Sequence, residues 1–327
     1  MSAAGIDLLA IGGNVRGRDL EAENRARVRL DRAGLLTGLG RLGDLAVWWA
    51  GVRDDAAAGP AHDVTRIVPA GPAPAVPQPE DAAVPQPEGA AVPQPEGAGD
   101  LGRLVPRRGA DLRLDRSALP RDPAPVRTVL LDPPADQAAA AAWGVATADA
   151  LVDSGVDLLL VSAPDLVASR VAAAQLLGLD AVEANGWPSD TGIDDRTWME
   201  QVSAIRDGLF RLRDLRPYPE ELLGALASPV LSAATALLLQ SAARRTPALL
   251  DGSGATAAAL LAQRLSPYSR DWWQIGHLGD HPLHERCLDT LRLQALTRLG
   301  ITVEDGIGAL LGLTALDLAA CLLAGAG

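Results

Sequence analysis

Apolar residues recur at three- and four-residue spacing from Leu39 through Leu42, Leu45 and Ala46 to Trp49, which predicts a helix over 19–52 whose tryptophan face packs inward. The pattern breaks near Gly59 and Pro60. It resumes as a β-branched strand at 126–131, an alanine-rich helix at 137–153 and a strand at 156–161 that reads as buried on both faces. Helical spacing returns at 167–177, 197–212, 220–226 and 229–243. A short strand at 248–250 then ends at Asp251 and Gly252 and opens into a helix at 255–265. Alternating strands and helices predict parallel βαβ units, hence an α/β fold of three layers: a mainly parallel sheet flanked by helices, with a small helical domain from the chain ends. The apolar stretch 306–327 is interrupted by Asp317 and crowded by glycines, and reads as a buried helix, not a membrane span.

Between the two patterned regions the eight-residue unit VPQPE(D/G)A(A/G) is read three times from Val76 to Gly99. Proline at this density forms neither a helix nor an inner strand, so the segment is expected to be extended or disordered, a surface insertion with solubilising glutamates. The expected organisation is an N-terminal helical segment of the small domain at 1–58, a proline-rich and largely disordered insertion at 59–125, the sheet domain at 126–270, and a C-terminal part at 271–327 carrying a further turn and helices.

The chain of 327 residues contains no lysine, so Schiff-base chemistry, a pyridoxal-phosphate anchor and a GK[ST] phosphate loop are excluded. A formal charge of −12 argues against nucleic-acid binding, although a local arginine patch can still hold one anion. Cys287 and Cys321 are too few for a disulfide framework or a four-thiolate site. With no apolar leader after the N-terminus, a cytoplasmic protein without membrane partners is expected.

Several residues have two readings. Gly252 and Gly254 at a strand end could present backbone N–H groups to an anion, or Ser253 could cap the helix. His277, His281 and His284 have metal-like spacing, but Pro282 interrupts the helix that would align them, and no metal is expected. Asp194 and Asp195 read as helix caps ahead of a cation site. Trp272 and Trp273 read as core ahead of a base-stacking pair. GGNVRG at 12–17 lacks the spacing of a dinucleotide loop.

The strings GRLGDLAVWWAGV (40–52), GVDLLLV (155–161), TGIDD (191–195), ARRTPALLDGSGATAAALLAQRLSP (243–267), HLGDHPLH (277–284) and EDGIGALLG (304–312) occur in the order found in one family. From about residue 134 to 323, and more weakly over 19–52, the chain resembles the nicotinate-nucleotide:dimethylbenzimidazole phosphoribosyltransferases, which make the lower ligand of cobalamin. The resemblance implies a parallel-sheet fold, usually homodimeric, with no cofactor. It implies nicotinate mononucleotide or an aromatic base as ligand. By position it assigns Asp305 as general base, and Thr191, Gly192, Asp251, Gly252, Thr256, Gly306 and Gly308 as substrate-binding.

Departures from the family are concentrated at its nucleotide site. Its loop GEMGIGNTT is replaced by Ser162, Ala163, Pro164, Asp165, Leu166, Val167, Ala168, Ser169 and Arg170, so three glycines and an acid are gone. Its phosphate-binding lysine corresponds to Gln201, and Arg170, the one new cation nearby, is expected to replace it in part as a substrate-binding residue. Its KPPGS string has become Gly34, Leu35, Leu36, Thr37 and Gly38, and its FAGDHGV string has no recognisable counterpart. Asp305 stands for a glutamate one methylene longer, a reach shorter by about 1.5 Å where about 1 Å can cost a hundredfold in rate. Glu304, beside it, is expected to point elsewhere, and the turns at 251–256 and 305–308 are expected to face each other across a cleft. Two functions follow: a divergent or non-catalytic member acting as partner or scaffold, paired with itself or a paralogue, or an active transferase using Asp305.

Overall fold

The computed structural model describes residues 6–69, 126–188, 193–302 and 304–326. The proline-rich repeat, Thr191 and Gly192 lie outside them.

Among the described residues six strands form one parallel sheet in the order β2-β1-β3-β4-β5-β6. They are β1 (Val64–Pro69), β2 (Val126–Leu131), β3 (Leu158–Ser162), β4 (Ala248–Asp251), β5 (Trp273–His277) and β6 (Ala295–Thr297). The chain first steps outward from β1 to β2 and then returns to β3 on the other side of β1. The strand order therefore reverses between β1 and β3, and in open α/β sheets such a switch point opens a crevice at the carboxyl ends. Leu158, Leu159, Leu160 and Val161 are fully buried, as a central parallel strand covered on both faces requires.

The helices are α1 (Leu8–Asn14), α2 (Leu20–Arg32), α3 (Arg41–Arg53), α4 (Gln137–Asp153), α5 (Leu166–Leu177), α6 (Ala181–Asn185), α7 (Asp195–Leu212), α8 (Pro219–Ala225), α9 (Pro229–Ala243), α10 (Gly252–Leu265), α11 (Pro282–Leu291) and α12 (Ile307–Gly325). Aspartates start many of them: Asp136, Asp165 and Asp194 each accept a backbone N–H of the first turn. On one side α10 packs on β3 and β4 and is backed by α5, α9 and α11, while α4 lies along α9 where Gly144 meets the Ala233 carbonyl. On the other, α12 crosses β3, β4, β5 and β6, with Gly312 seated on Gly276. α12 is long and apolar enough to cross a membrane, but Leu313, Leu316, Ala319, Ala320 and Leu323 are buried against the sheet and the N-terminal helices. Arg29 of α2 donates to the carbonyls of Leu323 and Ala324, so the two chain ends pack together as the small helical unit.

Three differences from the pattern change the organisation of the chain. The single helix expected over 19–52 is two, because the chain leaves α2 through Gly34 in the left-handed region (φ +69) and turns before α3. Residues 64–69, assigned to the proline-rich insertion, form the central strand β1: Val64, Thr65, Ile67 and Val68 are β-branched, but Arg66 interrupts the run. The division at 270/271 is no domain boundary, since β5 and β6 continue the sheet beyond it. Trp272 and Trp273 are fully buried, as expected of core.

Candidate functional site

The carboxyl ends of β1, β3, β4 and β5 are crossed by the turn 304–308 that leads into α12. Asp251, the last residue of β4, is buried there, and its Oδ2 accepts the Gly306 N–H at 2.8 Å. Burial, and then the Glu304 carboxylate nearby, push the Asp251 carboxyl up to about 7. Gly306 sits at φ +93, which an L side chain rarely adopts, and a Cβ on it would press the Arg66 stem at 2.9 Å. A Cβ on Gly308 would overlap the Asp251 carboxylate and lie 2.7 Å from the His277 Cβ. The two turns expected to face each other across a cleft are therefore in direct contact: the peptide N–H groups that start α12 are closed onto Asp251.

Glu304 does the reverse of what its position in the sequence suggests. Its Oε1 accepts the Ser253 N–H at 2.6 Å and the Ser253 hydroxyl at 2.7 Å, and its Oε2 accepts the Gly254 N–H at 3.3 Å. Its Cγ and Cδ occupy the space that a side chain on Gly252 would need. The Ser162 hydroxyl donates to the Glu304 carbonyl at 2.6 Å, which fastens the turn to the end of β3. Of the two readings of the Gly252 turn, the anion site is realised in an unforeseen way, while Ser253 does not cap the helix: its hydroxyl donates to Glu304. The N-terminus of α10 does bind a carboxylate, and the carboxylate belongs to the same chain. Beside it residues 163–165 connect β3 to α5. The Ala163 carbonyl and the Pro164 Cα pack directly over Gly254, where they leave no room for a side chain.

Two arginines flank this carboxylate cluster. Arg170 on α5 is buried, and its Nη1 donates to Asn185 Oδ1 and, at 2.9 Å, to Gln201 Oε1. The new cation therefore reaches the position of the lost lysine, with Glu304 within electrostatic range; burial depresses its pKa to about 10. The second is Arg66 on β1, which sequence reasoning missed because it lay in the segment assigned to the insertion. It is 4% exposed, and Asp305 and Asp251 act on it electrostatically. Asp305 is half-buried and its Oδ1 accepts the Ile307 N–H at 3.1 Å, capping the first turn of α12. An interrupted β-branched run holding one arginine was the available signal.

Other predicted positions are placed as follows. Thr256 is fully buried behind the turn, its hydroxyl donating to the Gly252 carbonyl at 2.7 Å and lying 3.1 Å from His284 Nε2. The Gly279 N–H points at His284 Nδ1, so Nε2 carries the proton and donates to Thr256. Burial lowers the His284 pKa to about 4, which keeps the ring neutral. His281 caps α11 through Leu283 N–H, and His277 Nε2 accepts the Leu299 N–H at 2.8 Å. All three rings bond to the backbone, and no metal-binding group of His, Cys, Asp and Glu occurs among the described residues. Asp194 caps α7.

Residues 134–326 match the model of a family described as Phosphoribosyltransferase. A nicotinate-nucleotide–dimethylbenzimidazole phosphoribosyltransferase of Mycobacterium ulcerans is 40% identical over 192 residues, covering 58% of this chain and 53% of that protein. Its counterpart in Corynebacterium glutamicum (strain R) is 41% identical over 185 residues, covering 55% and 51%. The chain thus spans about half the length of the curated relatives it matches. Among solved structures, the enzyme of that name from Thermus thermophilus superposes with a TM-score of 0.65 at 23% identity, covering 93% of this chain and 96% of that one, a likeness of fold.

Proposed function

The chain belongs to the phosphoribosyltransferase family, and from that premise we propose that it is a divergent member that keeps the fold as a binding partner or scaffold, without the transfer reaction for which its relatives are named. The observation that carries this reading is the seat of Glu304. A phosphate or carboxylate of a substrate entering at the N-terminus of α10 meets a carboxylate already bonded to Ser253 and Gly254. Ala163 and Pro164 close the adjoining space. Transfer between two substrates needs both held in register, and the N-terminus of α10 is filled by the chain's own groups. The pairing proposed is with a second copy or with a paralogue.

A second reading is favoured by Asp305, which keeps a carboxylate at the motif position, half-buried and with Arg66 in electrostatic range. In it, Asp305 takes the ring N–H proton of an aromatic azole as the other ring nitrogen attacks C1 of nicotinate mononucleotide. The C1–N bond then breaks and nicotinate leaves with its electron pair.

Incubating the full chain with nicotinate mononucleotide and dimethylbenzimidazole, and following nicotinate release, separates the two. The first reading expects no product above the buffer control. Turnover overturns it, and Asp305→Asn should then lose on the order of 10²- to 10⁴-fold in rate. An Asp305→Asn variant as fast as the wild type would exclude Asp305 as the base.

A further inference from the structure

We infer that Arg66 is the anchor of an oxyanion-binding site in the crevice between β1 and β3, taking a phosphate or carboxylate group of a small ligand. The inference rests on reading this end of the sheet as a binding face, and not on whether transfer occurs.

Arg66 lies on β1 opposite Thr128 of β2 and Leu160 of β3, in the interior of the sheet. Its neighbours on the adjoining strand β3 are buried leucines and a valine. A guanidinium in such a place has lost its water, and burial is the largest influence on it, lowering its pKa. The loss is not made good within the protein. Nε and Nη1 have no hydrogen-bond partner, and Nη2 reaches only the Thr128 hydroxyl at a long 3.4 Å. Asp305 and Asp251 attract it electrostatically, but among the described residues no carboxylate comes within ion-pair distance of it.

Buried donors are nearly always met, so unmet ones on a charged group point to a ligand that meets them. The position agrees. Arg66 stands three residues before the carboxyl end of β1, at the reversal of strand order where α/β sheets receive ligands. Its stem is held in place by close packing against Gly306: a Cβ there would sit 2.9 Å from Arg66 Cδ and 3.0 Å from Val68 Cγ1. A fixed stem with free N–H donors at its tip suits an oxyanion, which guanidinium binds through several hydrogen bonds at once. Arg170, by contrast, has Nη1 committed to Asn185 and Gln201, where Nη1 of Arg66 has no partner.

The test is calorimetry on the full chain with inorganic phosphate, nicotinate and nicotinate mononucleotide as separate probes, repeated with Arg66→Met and Arg66→Lys. The wild type should bind at least one probe, and Arg66→Met should weaken that binding tenfold or more with Arg66→Lys in between. Binding of phosphate but not nicotinate identifies a phosphate site, and the opposite a carboxylate site. Because Arg66→Met removes an unpartnered buried charge, its melting temperature should equal or exceed that of the wild type. A wild type that binds none of the three overturns the inference, as does a Met variant that binds equally well or melts well below the wild type. Should the Met variant fail to fold, the role is structural and the inference also falls. Transfer activity tests the proposed function without bearing on these outcomes.

Discussion

The Glu304 carboxylate lies 2.6 Å from the backbone nitrogen of Ser253, so the first turn of α10 is capped by a side chain 51 positions away in sequence. This one contact ties the turn before α12 to the end of β4 and fills the place of an anionic ligand. Charge-assisted hydrogen bonds at a helix start contribute about 1.5–3 kcal/mol. Glu304→Ala should therefore lower stability by about 2 kcal/mol in a denaturant titration. It should also uncover the Ser253 and Gly254 N–H groups, giving phosphate binding that is at least tenfold tighter by calorimetry. A variant as stable as the wild type with no gain in phosphate affinity would show that the cap neither holds the turn nor blocks a site.

Asp251 makes stability depend on pH in an unusual direction for an acid. Its native pKa of about 7 exceeds the ordinary value of 3.8, so between these values the native state holds a proton that the unfolded chain releases. Its contribution is fully present below pH 3.8 and is lost as pH rises to about 7, on the order of 4 kcal/mol in all. Asp251→Asn keeps an oxygen for the Gly306 N–H and removes the titration. Denaturation midpoints measured from pH 4 to 8 should fall more steeply for the wild type than for this variant. Parallel profiles would mean that Asp251 does not titrate in that window.

Gly276 and Gly13 give opposite expectations for the same change. A Cβ on Gly276 would strike the Gly308 carbonyl and come 2.7 Å from the Ala309 Cα, both backbone atoms that cannot swing aside, so Gly276→Ala should cost about 3 kcal/mol. Gly13 in α1 has nothing within 4 Å, and Gly13→Ala should leave stability unchanged or raise it by up to about 0.8 kcal/mol through helix propensity. Thermal melts of the two variants compare them directly. A mild Gly276→Ala would show that α12 is loosely seated on β5.

The sequence by itself determined the parallel βαβ architecture, the helix start at Asp194, and the burial of β3 and of the C-terminal helix. Each follows from local periodicity or a local side-chain-to-backbone bond, which a short run of consecutive residues suffices to specify. The turn at Gly252 was likewise legible, since a glycine at a strand end followed by a helical pattern has few alternatives. What only the tertiary structure decided was the content of the site. Whether Glu304 or Asp305 faces α10 depends on how the turn 304–306 leaves Gly306 and on where β4 lies, and no spacing in the sequence encodes that. Arg66 and Asp305, far apart in sequence, come near each other because β1 is inserted between β2 and β3. Its arginine broke the apolar run by which a strand is recognised, so the residue that hid β1 in the sequence is also the one with unmet donors beside Asp305.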